Sequence, residues 1–274
     1  MLEYMGTTIG VISIKGGVGK TTVASSLATT LAQTYGKKVL LVDANYTTPH
    51  VGHHMDILEP QKTIHDVLDG KARPISAVHT RFGVDVIPGH QSYGKMVPAF
   101  KLKDRLASIK EDYDFVVLDS SPHLNDETLS AMIASDALLV VSTPDYPTLS
   151  STLRAAQVAK HRGKPIAGII LNKIRDPKYE LSLADIELAT DIPVVAQLPD
   201  DKKHVGSTFT RIPMSIYASA SGFSTEMRKL AASLVGQPEQ KSWWEEMVGG
   251  RSRATLNRQV LRESFYSSVV DPKE

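Results

Sequence analysis

The chain has 274 residues, of which 42% are hydrophobic and 22% charged, a composition typical of a folded globular protein rather than a disordered one. Its 31 lysines and arginines almost balance its 30 aspartates and glutamates, so only a local patch could attract DNA or anionic lipid. Cysteine is absent, which excludes disulfides, thiolate-bound metals, iron–sulfur clusters and a cysteine nucleophile.

Strands and helices alternate along the sequence. Short runs of apolar and β-branched residues predict strands, and apolar residues at helical spacing predict helices. The predicted strands are 8–14, 39–42, 84–87, 115–118, 137–141, 166–171 and 194–197. The predicted helices are 23–35, 63–68, 102–109, 127–134, 148–161, 181–189 and 223–235. This alternation predicts an α/β fold, a doubly wound and mostly parallel sheet with helices on both faces.

The pattern divides the chain into two parts. Residues 1–236 carry all the predicted strands and are expected to form one globular domain, whereas 237–274 are expected to form an amphipathic, Arg-rich tail. The amino terminus lacks the basic and apolar regions of a signal peptide. The longest strongly apolar run, 137–141, is far shorter than the roughly 18 residues that cross a bilayer. We therefore expect a cytoplasmic protein.

A glycine-rich segment joins the first predicted strand to the first predicted helix. Its sequence, KGGVGKTT at 15–22, lets the backbone turn tightly and point successive N–H groups at phosphate oxygens beside a helix start. Lys20 is expected to reach the β- and γ-phosphates, and the Thr21 hydroxyl to bind Mg²⁺. The predicted nucleotide contacts in this segment are Lys15, Gly16, Gly17, Val18, Gly19, Lys20, Thr21 and Thr22.

The same segment departs from the general GxxxxGK[ST] pattern, because Ile14 stands where the first glycine would be and Lys15 follows it. In this it resembles the deviant Walker A motif of the MinD/ParA family, and the resemblance extends over about 1–236 and is closest to MinD-like members. It implies a P-loop NTPase fold with ATP and Mg²⁺ as cofactors. It also implies that Lys15 reaches the nucleotide of a partner subunit and acts in catalysis with Lys20, so that ATP bridges a homodimer.

Two aspartates end predicted strands at the same edge of the sheet. Asp43 ends the run VLLVD and Asp119 ends the run DFVVLD, and ligands of such sheets bind at the carboxyl ends of the strands. The resemblance implies that Asp119 is the Walker B residue, which holds Mg²⁺ through water, and that Asp43 is the first switch I carboxylate. The predicted metal site is therefore Thr21, Asp43 and Asp119. For either aspartate the alternative is a helix-capping or loop role.

Asn45 lies where many MinD-like proteins have the second aspartate of DxD, the residue that orients the attacking water. An amide can still position a water molecule, but it cannot accept a proton as a carboxylate can. We therefore assign Asn45 to the catalytic residues and expect slow ATP hydrolysis that depends on an activating protein.

The sequence NKIR at 172–175 bears on which base is bound. GTPases have NKxD at the corresponding place, with an aspartate that accepts hydrogen bonds from guanine. Arg175 offers only donors, so we expect ATP rather than GTP, and the resemblance implies that Asn172 pairs with the adenine edge. Pro199 and Asp200 resemble the family's adenine-flanking turn.

The tail contains two segments of different chemistry. KSWWEEMVGG resembles in outline the terminal membrane helix of bacterial MinD, but an anionic bilayer would repel its two glutamates. The next segment, 251–262, has four arginines and no acid, and Arg258 and Arg262 flank a common apolar face of Ala254, Leu261 and Phe265. The residues predicted to contact a membrane or a partner protein are Trp243, Trp244, Met247, Val248 and the Arg251–Arg262 region. Packing on the protein's own surface and an inert tail are the alternatives.

Two functional classes remain, since the absence of cysteine excludes the family's iron–sulfur carriers. The first is a MinD-like positioning switch in cell-division site selection, which dimerises on ATP, hydrolyses it and docks on a membrane or partner through its tail. The second is a ParA-like partitioning ATPase that binds DNA non-specifically through basic residues such as those at 251–262. The sequences TIHDVLDG and GVDVIPG favour the first.

Overall fold

An eight-stranded sheet forms the centre of the computed structural model, which describes residues 6–238 and 252–265. The strands are β1 (Thr7–Ile12), β2 (Val39–Ala44), β3 (His79–Arg81), β4 (Val84–Ile87), β5 (Phe115–Ser120), β6 (Ala137–Ser142), β7 (Ile166–Ile174) and β8 (Val194–Pro199). Their order in the sheet is β3-β4-β2-β5-β1-β6-β7-β8, and only the β3–β4 pair is antiparallel. The predicted α/β fold, with its doubly wound and mostly parallel sheet, is confirmed.

Helices cover both faces of the sheet. Those of the described residues are α1 (Lys20–Tyr35), α2 (Val51–His54), α3 (Ile64–Leu68), α4 (Leu102–Lys110), α5 (Asp126–Ala134), α6 (Tyr146–His161), α7 (Leu183–Thr190), α8 (Lys203–Thr210), α9 (Met214–Tyr217), α10 (Gly222–Leu234) and α11 (Arg253–Phe265). Along β5, Phe115 and Val117 pack with α1 and α10, whereas Val116 and Leu118 pack with α4 and α5. This alternation is the two-residue period of a strand buried on both faces.

The length and polarity of these helices bear on membrane insertion. Across residues 6–238 and 252–265, no helix is both long enough and apolar enough to span a bilayer.

The sequence pattern missed β3 and the short helices α2, α8 and α9. β3 has three residues at the edge of the sheet, and two of them are exposed, so no apolar run marks it. α8 leaves Val205 77% and Phe209 85% exposed. These two residues are one helical turn apart but face away from the core, and a helix of eight residues is too short to give a clear periodic signal.

α11 lies in the segment expected to belong to the tail, and it packs on β8 and α10. The predicted common face of Ala254, Leu261 and Phe265 is buried, and Leu261 and Phe265 join the same hydrophobic core as α1 and α10. Packing on the protein's own surface is thus the arrangement of residues 252–265.

Polar contacts of α11 add to this packing at β8, an edge strand of the sheet. Asn257 Nδ2 donates to the carbonyl of Val194 over 2.8 Å, and Arg258 Nη1 donates to the carbonyl of Val195 over 3.1 Å. Arg258 Nη1 also pairs with Glu226 Oε2 on α10 at 3.1 Å. These side chains occupy main-chain acceptors of a strand whose unpaired edge could otherwise pair with another chain.

The expectation of an arginine surface patch is therefore wrong for Arg258, whose side chain is 2% exposed. Arg253 is tied to Glu187 on α7 by an ion pair, while Arg262 is half-buried. The other predicted docking residues, Trp243, Trp244, Met247, Val248 and Arg251, lie outside the described residues. The domain boundary at 236 stays a prediction.

Replacement of Arg258 by alanine should weaken the fold. We expect Arg258→Ala to lower the free energy of unfolding by about 3 kcal/mol, since it breaks a buried ion pair although Lys229 still pairs with Glu226. Urea denaturation measures the loss. Arg262→Ala on the same helix is the matched control and should change stability by no more than about 0.5 kcal/mol. Equal losses for the two variants would contradict the assignment.

Candidate nucleotide-binding site

The turn between β1 and α1 is shaped for close approach of phosphate. Gly17 and Gly19 have φ angles of 78° and 92°, values that side chains disfavour. A Cβ atom on Gly19 would also collide with Asn172 Nδ2. α1 begins without a side-chain cap and without an acidic residue in its first turn. Its first N–H groups and its positive dipole end are thus available to an anion.

Lys20 is the first residue of α1 and is only 6% exposed. Burial lowers the pKa of its ammonium, and the nearby carboxylate of Asp119 acts in the opposite direction. A cation in this position, at the helix start and beside the glycine turn, meets the requirement for binding terminal phosphates.

Asp43 and Asp119 lie side by side, because they are register partners on the neighbouring parallel strands β2 and β5. Thr21 Oγ1 donates to Asp119 Oδ2 over 2.7 Å, while Asp119 Oδ1 is buried with no hydrogen-bond partner. Burial raises the pKa of Asp119 to about 6, and the bond from Thr21 and the charge of Lys20 oppose the rise. A free carboxylate oxygen beside a hydroxyl is an oxygen donor set that fits Mg²⁺.

Asp43 uses both of its oxygens to hold the chain that follows β2. Its Oδ1 accepts from the Asn45 amide over 3.2 Å and its Oδ2 accepts from the Val51 amide over 2.9 Å. Burial, and then the charge of Asp119, raise the pKa of Asp43 well above its usual value. Asp43 therefore has the loop role that the sequence left as an alternative. Direct binding of the metal by Asp43 stays a prediction.

Asn45 is buried in the same loop. Its amide Nδ2 donates to the Thr48 carbonyl, and its Oδ1 accepts from Thr48 Oγ1 over 3.2 Å. The structure thus places Asn45 two residues beyond Asp43, as the sequence indicates, but with its amide bound to its own loop. Nothing in the sequence pattern pointed to Thr48.

Lys15 extends from the glycine turn to the start of α6. Its Nζ donates to Thr148 Oγ1 over 2.6 Å and pairs with Asp145 Oδ1 at 3.3 Å. The Lys15 side chain is 37% exposed, and it lines an open cavity of about 510 Å³ together with Gly16, Gly17 and Val18. Sequence reasoning missed Thr148 and Asp145; the N-cap aspartate before the helix was the available signal.

Asn172, near the carboxyl end of β7, contacts the glycine turn. Its Nδ2 donates to the Val18 carbonyl over 2.7 Å, and its buried Oδ1 has no partner. This free acceptor suits the exocyclic amino group of adenine. Lys173 Nζ donates to the Gly17 carbonyl over 2.8 Å, a further contact that the sequence did not predict.

Pro199 and Asp200 follow the last strand, as expected for a turn beside the base. Asp200 accepts from Arg175 Nε over 2.6 Å, and its own amide donates to the Ile174 carbonyl over 2.8 Å. Arg175, whose donors disfavour guanine, is thus the partner of Asp200, and this pair joins the ends of β7 and β8.

Comparisons with known proteins agree with this geometry. A family profile described as an AAA domain matches residues 6–160. An uncharacterised ATP-binding protein of Methanocaldococcus jannaschii is 31% identical over 239 residues, which cover 86% of this chain and 90% of that protein. The septum site-determining protein MinD of Thermotoga maritima is 27% identical over 85% of this chain and 89% of its own length.

Among solved structures, MinD of Pyrococcus horikoshii complexed with Mg-ADP superposes with a TM-score of 0.79 at 29% identity, covering 83% of this chain and 95% of that one. The chain belongs to the MinD/ParA family of P-loop ATPases. The predicted resemblance is confirmed, and so are ATP and Mg²⁺ as the cofactors of this ATPase. The unpartnered oxygens of Asp119 and Asn172 mark two places where these groups fit.

Proposed function

We propose that this MinD/ParA-family ATPase is a molecular switch that dimerises on ATP, hydrolyses it slowly, and docks on a membrane or a partner protein as a positioning factor of the MinD type. The observation that carries the proposal is the position of Lys15. It adds a second, partly exposed cation at the rim of a glycine turn that already contains the buried Lys20.

Different residues of the chain are assigned to the phosphates, the metal, the base and the attacking water. The main chain of residues 16–19 and Lys20 hold the phosphates, and Thr21 with Asp119 would hold the metal. Mg²⁺ in this place neutralises charge that develops on the transferred phosphoryl group. Asn172 would accept from adenine, and the loop containing Asn45 would position the attacking water.

To reach the nucleotide of a second subunit, the Lys15 side chain must give up its contacts within its own subunit. It is held there by one neutral acceptor, Thr148, and by a partly exposed ion pair with Asp145, and such pairs contribute only about 0–1 kcal/mol. The triphosphate of a second subunit carries more negative charge than Asp145 and would attract the ammonium more strongly. The lysine can therefore change partners at small cost when ATP is bound.

Loss of Lys15 should separate ATP binding from dimerisation. We expect Lys15→Ala to bind ATP within about threefold of the natural protein, because Lys20 and the main-chain amides remain, yet to stay monomeric with a non-hydrolysable ATP analogue. Light scattering after gel filtration, with the analogue or ADP, measures the change. Lys160→Ala on the exposed end of α6 is the control and should dimerise normally. A dimer of Lys15→Ala would refute the role.

A carboxylate at position 45 should speed hydrolysis. We expect Asn45→Asp to raise the ATPase rate of the purified protein at least about tenfold, because a carboxylate can accept the proton of the attacking water. Phosphate release assays measure the rate. Asn45→Ala serves as the variant whose side chain can neither position the water nor accept its proton. An unchanged rate in Asn45→Asp, or rapid turnover by the natural protein alone, would show that Asn45 does not limit hydrolysis.

We also propose that the protein acts in the cytoplasm, peripherally on the inner face of the membrane. Support comes from the tryptophan-bearing sequence between the two described parts of the chain. An activating protein would then stimulate hydrolysis and release the dimer. DNA binding of the ParA type has less support, because Arg258 and Arg253 are already paired with Glu226 and Glu187.

Co-sedimentation distinguishes the two classes. We expect the full chain to pellet with phosphatidylglycerol vesicles in ATP and not in ADP, and the variant with Trp243→Ala and Trp244→Ala to stay in the supernatant. Truncation at 236 is a poor test, since it also removes α11 from the core. Pelleting with DNA but not with vesicles would instead favour a ParA-like partitioning function.

A further inference from the structure

A second and larger cavity opens on the other side of the loop that follows Asp43. Its volume is about 1060 Å³, and it is lined by His65 and three segments: residues 46–47, residues 90–101 and residues 125–127 at the start of α5. It shares no lining residue with the cavity beside Lys15. Its size is at the upper end of the range found for ligand pockets.

Glu127 forms part of the wall of this cavity and has a free buried oxygen. The residue is 8% exposed. Its Oε1 accepts from the Thr47 amide over 2.9 Å and from Thr47 Oγ1 over 2.5 Å, whereas its Oε2 has no hydrogen-bond partner. A buried carboxylate oxygen without a donor is costly, so the wall is prepared for a group that donates.

The remaining titratable side chains of the wall do not supply that group. His65 uses both ring nitrogens, one with the Tyr46 carbonyl at 2.9 Å and one as acceptor from the His90 amide at 3.1 Å. Lys95 and Lys101 are exposed, and Oε2 of Glu127 is bound by neither. None of these three side chains therefore supplies the donor for Glu127 Oε2.

The rest of the wall suits an aliphatic stem and a macromolecular carrier. Tyr46 and Tyr93 offer aromatic surface next to Val97, and aromatic faces also attract cations. At the rim, Met96 is 98% and Phe100 is 51% exposed. Exposed apolar side chains around a deep polar group are typical of protein-binding sites, and a small free amine would leave them uncovered.

We propose that this cavity receives a lysine side chain of a partner protein, with its ammonium on Glu127 Oε2, its stem along Tyr46 and Tyr93, and its apolar neighbours on Met96 and Phe100. The site is separate from the nucleotide and does not depend on the proposed switch function. Glu127 also binds Thr47, which lies in the same loop as Asn45. A lysine bound to Glu127 would therefore contact a residue that holds this loop.

The absence of cysteine allows a direct test of the site. Met96→Cys places a single thiol at the rim, and Met96 is so exposed that the fold should tolerate the change. The protein is equilibrated, in fixed 2-mercaptoethanol, with alkyl disulfides of two to six carbons that end in an ammonium or in a hydroxyl. Intact mass measures each adduct. At the best length we expect the ammonium form to exceed the hydroxyl form at least about tenfold, as for a hydrogen bond between charged groups.

Two control variants test whether the preference for ammonium depends on the charge of Glu127 and on the position of the thiol. Glu127→Gln in the Cys-bearing protein should abolish the preference for ammonium, since the amide keeps the shape and loses the charge. Val260→Cys, at an exposed position on α11, reports the preference of the general surface. The proposal is overturned if the thiol at position 96 prefers ammonium no more than the thiol at position 260, or if the preference survives Glu127→Gln.

Discussion

The placement of two carboxylates at one register position, Asp43 on β2 and Asp119 on β5, is the constraint on which the rest of the site depends. Burial raises the pKa of both carboxyl groups above its ordinary value, and the charge of Asp119 raises that of Asp43 further. Hydrogen-bond donors from nearby residues offset the cost of burying these charges: the Thr21 hydroxyl for Asp119 and two main-chain amides for Asp43. The oxygen left over on Asp119 is where a metal ion would complete the compensation.

Much of this arrangement could be predicted from the sequence, because it rests on local pattern. The glycine turn of 15–22 specifies its own geometry, and uninterrupted apolar strands specify a parallel sheet whose carboxyl ends share one edge. Asp43, Asp119 and Asn172 each follow such a strand, so their convergence needed only the topology. Among the elements that were missed, β3 is largely exposed, and α2, α8 and α9 are too short for a helical period to show in the sequence.

Contacts between side chains far apart in sequence could not be predicted in the same way. Lys15 and Thr148 are 133 residues apart, and Thr47 and Glu127 are 80 apart. No spacing rule connects residues at such distances. Arg258 illustrates the related error of treating an arginine as a surface charge. Its place on a helix face between Ala254 and Leu261, with Glu226 opposite, made burial with a partner possible, but only the packing of α11 shows it.

Two carboxylates hold the loop after β2: Asp43 accepts from the amides of Asn45 and Val51 at its two ends, and Glu127 on α5 accepts from Thr47 near its middle. α5 in turn begins six residues beyond the end of β5, just after the turn that follows Asp119. A shift of that turn therefore pulls on the loop through Glu127, and the loop cannot move away unless it breaks these bonds or takes α5 with it. The two hydrogen bonds between Glu127 and Thr47 thus couple the two sides of the phosphate site, so that a displacement of one side is resisted by the other.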